Sequence, residues 1–265
     1  MTPVPARLTG TFRHWPVTTA GLRAFSSIWA HRLPEKDASP IVVASDGTID
    51  LQWIDHAFRV AGPDNEAVTE DLPAGALVIG FRFHPAAAAA WLGIATSEIA
   101  NQRPDLEALW GARARRAAVD VANEGDIDRL VRSLQPVVGR MAPEFESADQ
   151  QMRAAYRLVA AGAPPGTPLV PWLGRALGMS ERTLRRRFDE AFGYGPKTLD
   201  RILRHQRYLR LAENSSESTA ILALESGYSD QAHLVRESRR LTGSPPGALN
   251  RLAANRANRS SGIED

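Results

Sequence analysis

The chain contains no cysteine. That one absence excludes disulfides, thiolate metal sites, cysteine nucleophiles and a cysteine-dependent DNA-repair alkyl acceptor. Lysine is nearly as scarce: all but Lys36 and Lys197 of the 32 cationic side chains are arginine. The longest apolar run, around Pro85 to Ala95, is too short to cross a bilayer. The opening stretch MTPVPARLTGTFRHW lacks the apolar centre of a secretory signal, so no membrane contact is expected and the cytoplasm is the expected location. There is no G-x-S-x-G and no phosphate-cradling glycine loop. Histidines at 14, 31, 56, 84 and 205 are scattered without metal-ligand spacing. No catalytic residue, metal or cofactor is therefore expected.

What is present is a chain of 265 residues, long enough for two domains, with charge unevenly placed. From Ala148 onward there are 18 cations against 12 anions, and before it 14 against 18. A basic C-terminal part on an acidic N-terminal part points to a polyanion met by the former alone.

The densest motif lies in the basic part, at Gly178-Met179-Ser180-Glu181-Arg182-Thr183-Leu184-Arg185-Arg186-Arg187-Phe188. The glycine can end one helix, and the serine can cap the next by accepting from its first-turn amides. On a helical wheel Leu184 and Phe188 share a face, while Arg182, Arg185 and Arg186 gather opposite. Upstream, Leu173, Ala176 and Leu177 read as the inward stripe of a preceding helix. Helix, tight turn and arginine-faced helix make a helix-turn-helix able to place its second helix in a major groove.

Before it, the chain changes character twice. Ala20 to Trp29 reads as a short amphipathic helix. Ile41 to His84 then alternates as strands, with turns at Asp46-Gly47, Asp55-His56 and Gly62 to Asn65, and predicts a small antiparallel sheet over 40–84. Helices are expected over 86–92, around Leu106 to Trp110, over 113–122, and from Ile127 to near Pro136, with a linker at 141–147. A further helix begins around Met152. Pro196 opens another that runs to Glu213, buries Leu199, Ile202, Leu203 and Leu209, and turns Arg201, Arg204, Arg207 and Arg210 to solvent or phosphate.

The motif recurs. At an offset of 50, Leu184, Gly193 and Pro196 return as Leu234, Gly243 and Pro246, and Ser180 returns as Asp230, again a good cap. On the second wheel Ala232, Arg236, Arg239 and Arg240 point away from Leu234 and Leu241, His233 flanks them, and Gln231 stands at the helix start.

With both copies in order, the segments LGRALGMSERTLRRRF, FGYGPKTLDRILRHQRYLRLAE and SGYSDQAHLVRESRRLTGSPPGAL resemble the AraC/XylS family of bacterial transcription regulators. The N-terminal segments SDGTIDLQW, VAGPDN and GFRFHPAAAAAWLG are similar, more loosely, to the sensor-type domain of an actinobacterial-style subgroup. The resemblance implies an α+β chain of two domains. Residues 1–147 would form a sheet-and-helix sensor or dimerisation domain, 148–252 an all-α seven-helix domain with two helix-turn-helix units, and 253–265 a disordered tail. It implies base-edge contacts from Arg182, Arg185 and Arg186 in the first unit, and from Gln231, Ala232, His233 and Arg236 in the second. Phosphate contacts fall to Ser180, Arg187, Lys197, Arg239 and Arg240. The family usually has aromatics where Leu234 and Ser238 stand, so the second unit is expected to be the weaker. Double-stranded DNA is the expected partner; RNA polymerase, a small-molecule effector and a second copy of the chain are further candidates. Trp53, Phe81, Arg82, Phe83, His84 and Trp91 are the pocket candidates, with Arg82 and His84 suiting an anion. The alternative is an N-terminal module that serves only dimerisation or polymerase contact.

Overall fold

The structure, a computed structural model, describes residues 10–248 except 18, 36–39, 120, 122–125, 143, 146 and 214. The expected tail at 253–265 lies outside these residues. The N-terminal half holds strands β1 (Thr11–Pro16), β2 (Phe25–Arg32), β3 (Ile41–Val43), β4 (Asp50–Ile54), β5 (Ala57–Ala61), β6 (Val68–Glu70) and β7 (Leu77–Phe83). Five pair antiparallel in the order β1-β2-β7-β4-β5, while β3 and β6 form a separate pair. Asp55 and His56 both take positive φ in the two-residue turn between β4 and β5, the backbone that matches hairpin twist. Helices α1 (Ala88–Leu92), α2 (Leu106–Trp110), α3 (Ala112–Val119) and α4 (Ile127–Met141) follow, and the buried stripe of α4 closes the core against Phe25, Ile28, Ile79 and Phe81.

Three expectations in this half need correction. Ala20–Trp29 is not a helix but one 3-10 turn, Ala20–Leu22, followed by β2. A bulge between Phe25 and Ser27 shifts the β2 register, so Phe25 and Ile28 reach the same core at a spacing of three, which on paper mimics a helix. The fourth helix continues through Pro136, because Val137, Val138 and Met141 extend its buried stripe beyond the proline. At its described positions the expected linker packs into the core, since Met141, Ala142 and Phe145 are buried there.

The C-terminal half is helical: α5 (Gln150–Ala161), α6 (Leu169–Leu177), α7 (Glu181–Phe192), α8 (Pro196–Glu213), α9 (Thr219–Glu225) and α10 (Gln231–Thr242). Gly178, at φ 65°, turns α6 into α7 with a left-handed backbone that suits glycine. In α6 the inward stripe is Val170, Leu173 and Gly174; Ala176 is exposed, contrary to its expected place. Leu184, Phe188, Ala191 and Phe192 of α7 pack with Met152, Leu199 and Ile202, whereas Leu234 of α10 packs with Tyr208, Leu209 and Leu222. Helix α8 thus serves both cores. Its 18 residues span about 27 Å at 1.5 Å per residue.

Arg201, Arg204 and Arg207 of α8 are structural rather than solvated. Arg207 donates to the Ala160 carbonyl (2.9 Å) at the end of α5 and to the Ser226 carbonyl (3.1 Å) at the end of α9. Arg204 pairs with Asp200 and covers the Tyr228 ring, and Arg201 pairs with Glu237 on α10 (3.0 Å). Arg207→Met leaves two helix-terminal carbonyls without donors and should lower stability by about 2 kcal/mol, measured by urea unfolding.

His205 faces the same interior. It is fully buried, neither ring nitrogen has a hydrogen-bond partner, and burial pushes its pKa down to about 4 from 6.5. The folded state therefore keeps the neutral ring. Stability is complete above the unfolded pKa and is lost as pH falls from 6.5 toward 4, where the unfolded chain alone takes the proton. The loss should reach about 3 kcal/mol at pH 4, and His205→Leu should flatten that part of the pH–stability curve.

Candidate nucleic-acid interface

Both candidate reading helices begin with a capped N-terminus and a free outer face. In α7 the Ser180 hydroxyl accepts from the Thr183 amide at 3.2 Å. Arg182, Arg185 and Arg186 are exposed, opposite the buried Leu184 and Phe188. Arg185 lies 3.5 Å from Glu181 and Arg186 2.5 Å from Glu190. Such exposed pairs are worth at most a few tenths of a kcal/mol, so they cost little to give up for a base or phosphate.

In α10 the Asp230 carboxylate caps the helix by accepting from the His233 amide at 2.7 Å, and this hydrogen bond holds the carboxyl below its usual range. Gln231, Ala232, Arg236, Arg239 and Arg240 are exposed. His233 is half-buried, edge-on to Tyr228 and 3.2 Å from the Ser229 hydroxyl, so part of its polar capacity serves the turn. Ser238 is fully buried where the first unit has Phe188. Its hydroxyl is satisfied by donating to the Ser244 carbonyl at 2.8 Å, so the loss at this position is of apolar volume rather than of a hydrogen bond.

The phosphate candidates divide. Lys197 and Ser180 are exposed at the starts of α8 and α7. Arg187 points elsewhere: its guanidinium holds Asp149 (2.5 Å) and Gln151 at the start of α5. It is a strut between α5 and α7, and a phosphate would have to displace a carboxylate to reach it.

The residues expected to line one pocket are not together. Trp53, Phe81, Phe83 and Trp91 are buried in the sheet–helix core, with Phe83 and Trp91 rings packed around Phe25. Arg82 is clamped by Asp50 (3.1 Å) and Asp46 (3.4 Å). Burial works against its charge, and the two aspartates more than restore it. An anion would therefore meet a neutralised cation, which removes the argument for anion binding. Of the six, Arg82, Phe83 and His84 edge a cavity of about 310 Å³ between the sheet and Tyr156, Phe192 and Tyr194. A smaller cavity, about 110 Å³, lies against β2 and β4 beside Arg59, Glu70, Arg103 and Asp64. There Arg103 holds Asp64 (2.6 Å) and Glu70 (2.7 Å), a mesh that sequence reading missed because its members come from distant segments. Among the described residues no cluster of histidines and carboxylates could hold a metal, and no helix is long and apolar enough to cross a membrane.

Also missed were contacts from the N-terminal half to the ends of α7 and α10. The Thr96 hydroxyl donates to the Glu190 carbonyl of α7 at 3.0 Å, and a side-chain carbon at Gly193 would fall 2.3 Å from Pro63. The Ala67 amide donates to Arg240 of α10. These are mostly backbone contacts, for which residue identity carries no signal.

The family described as a helix-turn-helix domain matches residues 173–251, from α6 to just beyond α10. The C-terminal region is an AraC-type helix-turn-helix domain. No curated protein matches the chain in sequence. Among solved structures, a substituted apo ToxT from Vibrio cholerae is similar at 9% identity, covering 90% of this chain and 100% of that one, with a TM-score of 0.49. A second ToxT structure from Vibrio cholerae is similar at 11% identity, covering 84% and 96%, with a TM-score of 0.47.

The AraC-type domain owes the orientation of α7 partly to Arg187. Asp149→Ala would free that guanidinium and uncap α5, whose first amides Asp149 accepts. We expect about 1 kcal/mol lower stability by thermal unfolding, together with a steeper salt dependence of DNA binding by up to about 0.9 in the log–log slope.

Proposed function

We propose that the chain is a sequence-specific duplex-DNA reader. Its helices α7 and α10 enter successive major-groove segments, and its N-terminal part modulates that reading. The proposed division is 1–147 for the modulating part and 148–252 for the reader. The observation that carries it is the repeated arrangement on the two helices. Each has a capped start, a buried stripe facing α8, and exposed polar residues on the opposite face. A connecting helix of about 27 Å suits two contacts on one face of a duplex whose turn is about 34 Å.

In this reading Arg182, Arg185 and Arg186 donate to guanine O6 and N7. Gln231, His233 and Arg236 donate in the second segment, where Ala232 offers apolar contact to a thymine methyl. Ser180, Lys197, Arg239 and Arg240 set register on phosphates. A reader of this kind works on DNA in the cytoplasm, without a catalytic step. The N-terminal part acts through an effector, a second copy of the chain or RNA polymerase. The two cavities support the first of these, and the contacts to both reading helices support a modulating role over a mere attachment.

Arg185→Ala and Arg186→Ala should each weaken binding to the selected duplex by about 1–3 kcal/mol while changing non-specific binding much less. Equal losses on all sequences, in a fluorescence anisotropy titration at fixed salt, would reject base reading by these two residues.

A further inference from the structure

The last turn of a helix leaves carbonyls with no partner inside the helix. In α10 two of them are met from the N-terminal half of the chain. The Arg240 carbonyl accepts the Ala67 amide at 2.9 Å, and the Leu241 carbonyl accepts the Ser45 amide at 2.8 Å. The two donor loops are tied together, since the buried Ser45 hydroxyl donates to the Asp64 carbonyl at 2.5 Å. Arg201 fastens the assembly from α8: it donates to the Asn65 carbonyl at 3.0 Å and pairs with Glu237 of α10 at 3.0 Å. Ala44 packs in the same apolar cluster as Leu234, and Val42 lies against Gly243.

The first unit leans on the N-terminal half differently. Helix α7 is anchored by Leu184, Phe188, Ala191 and Phe192, with Ala86 and the turn Thr96–Ile99 packed against it, and among the described residues its last-turn carbonyls take one outside donor, the Thr96 hydroxyl. The corresponding stripe of α10 has Ser238 in place of an aromatic, and that hydroxyl is spent on Ser244. The second helix thus has less apolar anchoring of its own and more backbone anchoring from elsewhere.

We propose that residues 42–46, at the end of β3 and in the loop after it, and the loop at 64–67 are the C-terminal cap of the second reading helix, and that Ala67, Ser45 and Arg201 are positioning residues for its DNA contacts. The cap holds the end of α10 remote from Gln231 to Arg236, so it orients the helix without covering the residues that face the bases. Reading of the second half of the operator is then conditional on the N-terminal loops, whereas reading of the first half is carried by the core of α7. This rests on the proposal above that α10 enters a groove.

The test uses the full chain and the duplex it selects from a random pool, then duplexes altered in one half at a time. For the wild type, alteration of either half should weaken binding about tenfold or more. Ala67→Pro removes the amide donor. It should bring the penalty for altering the α10 half to within about twofold of none, and leave the α7-half penalty in place as proof that the fold survives. Arg201→Met should act in the same direction, and it decides the matter if Ala67→Pro does not fold. Retention of both penalties in a folded variant overturns the cap. A wild type indifferent to the α10 half instead overturns the two-helix reading itself, so the two failures are distinguishable.

Discussion

Carbonyl groups at helix C-termini need donors, and the way this protein supplies them organises its C-terminal half. Arg207 reaches from the middle of α8 to the ends of α5 and α9, so one guanidinium sets two helices against a third. Gly178 and Gly193 end α6 and α7 with left-handed turns whose own amides return to the last carbonyls. Where that supply is short, the N-terminal half provides it, through Thr96 for α7 and through Ala67 and Ser45 for α10. The geometry of the reader is therefore fixed largely by backbone acceptors and a few well-placed donors. The apolar clusters around α8 supply the stability that lets those acceptors be satisfied in one arrangement.

The same accounting separates the arginines. Arg82, Arg103, Arg187 and Arg207 are committed to carboxylates or carbonyls within hydrogen-bond distance. Among the described residues, Arg185 and Arg186 pair only with neighbours one turn away on their own helix, at more than half exposure. An exposed pair costs little to break and a part-buried one costs much. The arginines proposed to meet DNA are thus the ones whose partners are weakest. A count of positive charge along the sequence cannot make that division.

The legible parts were those in which one short segment carries its own reason. The cap at Ser180, the turn at Gly178 and the stripe of Leu184 and Phe188 lie within eleven residues, and the second copy repeats the cap, the turn glycine and the leucine, with Ser238 in place of Phe188. The strand Leu77–Phe83 was legible because its alternation matches a sheet with one face on the core. What escaped was set by partners far away. The β2 bulge gave Phe25 and Ile28 a helical spacing inside a strand, and only β7 beside it decides the matter. Pro136 stops a helix by local rules, yet packing of Val137, Val138 and Met141 carries α4 through it. The aromatic and basic side chains of β7 looked like a pocket lining because sequence shows residue type without showing what already occupies each group; Arg82 was spoken for by Asp50 and Asp46.

The difference between α7 and α10 follows from a single exchange of volume for hydrogen bonding. Phe188 fills the interior beneath α7, whereas Ser238 beneath α10 turns inward to Ser244. Deleting an aromatic from a core costs about 3–5 kcal/mol when nothing replaces it. Two amides, one ion pair and the packing of Ala44 and Val42 from the N-terminal half stand beside α10 and fall within the range that could offset such a loss. Such an exchange carries a consequence that a self-sufficient core would not have. Apolar volume within the reader is always present, but a cap supplied by another part of the chain holds only while that part stays docked. On the reading proposed above, the helix with the better core would be the fixed contact, and the helix capped from outside the adjustable one.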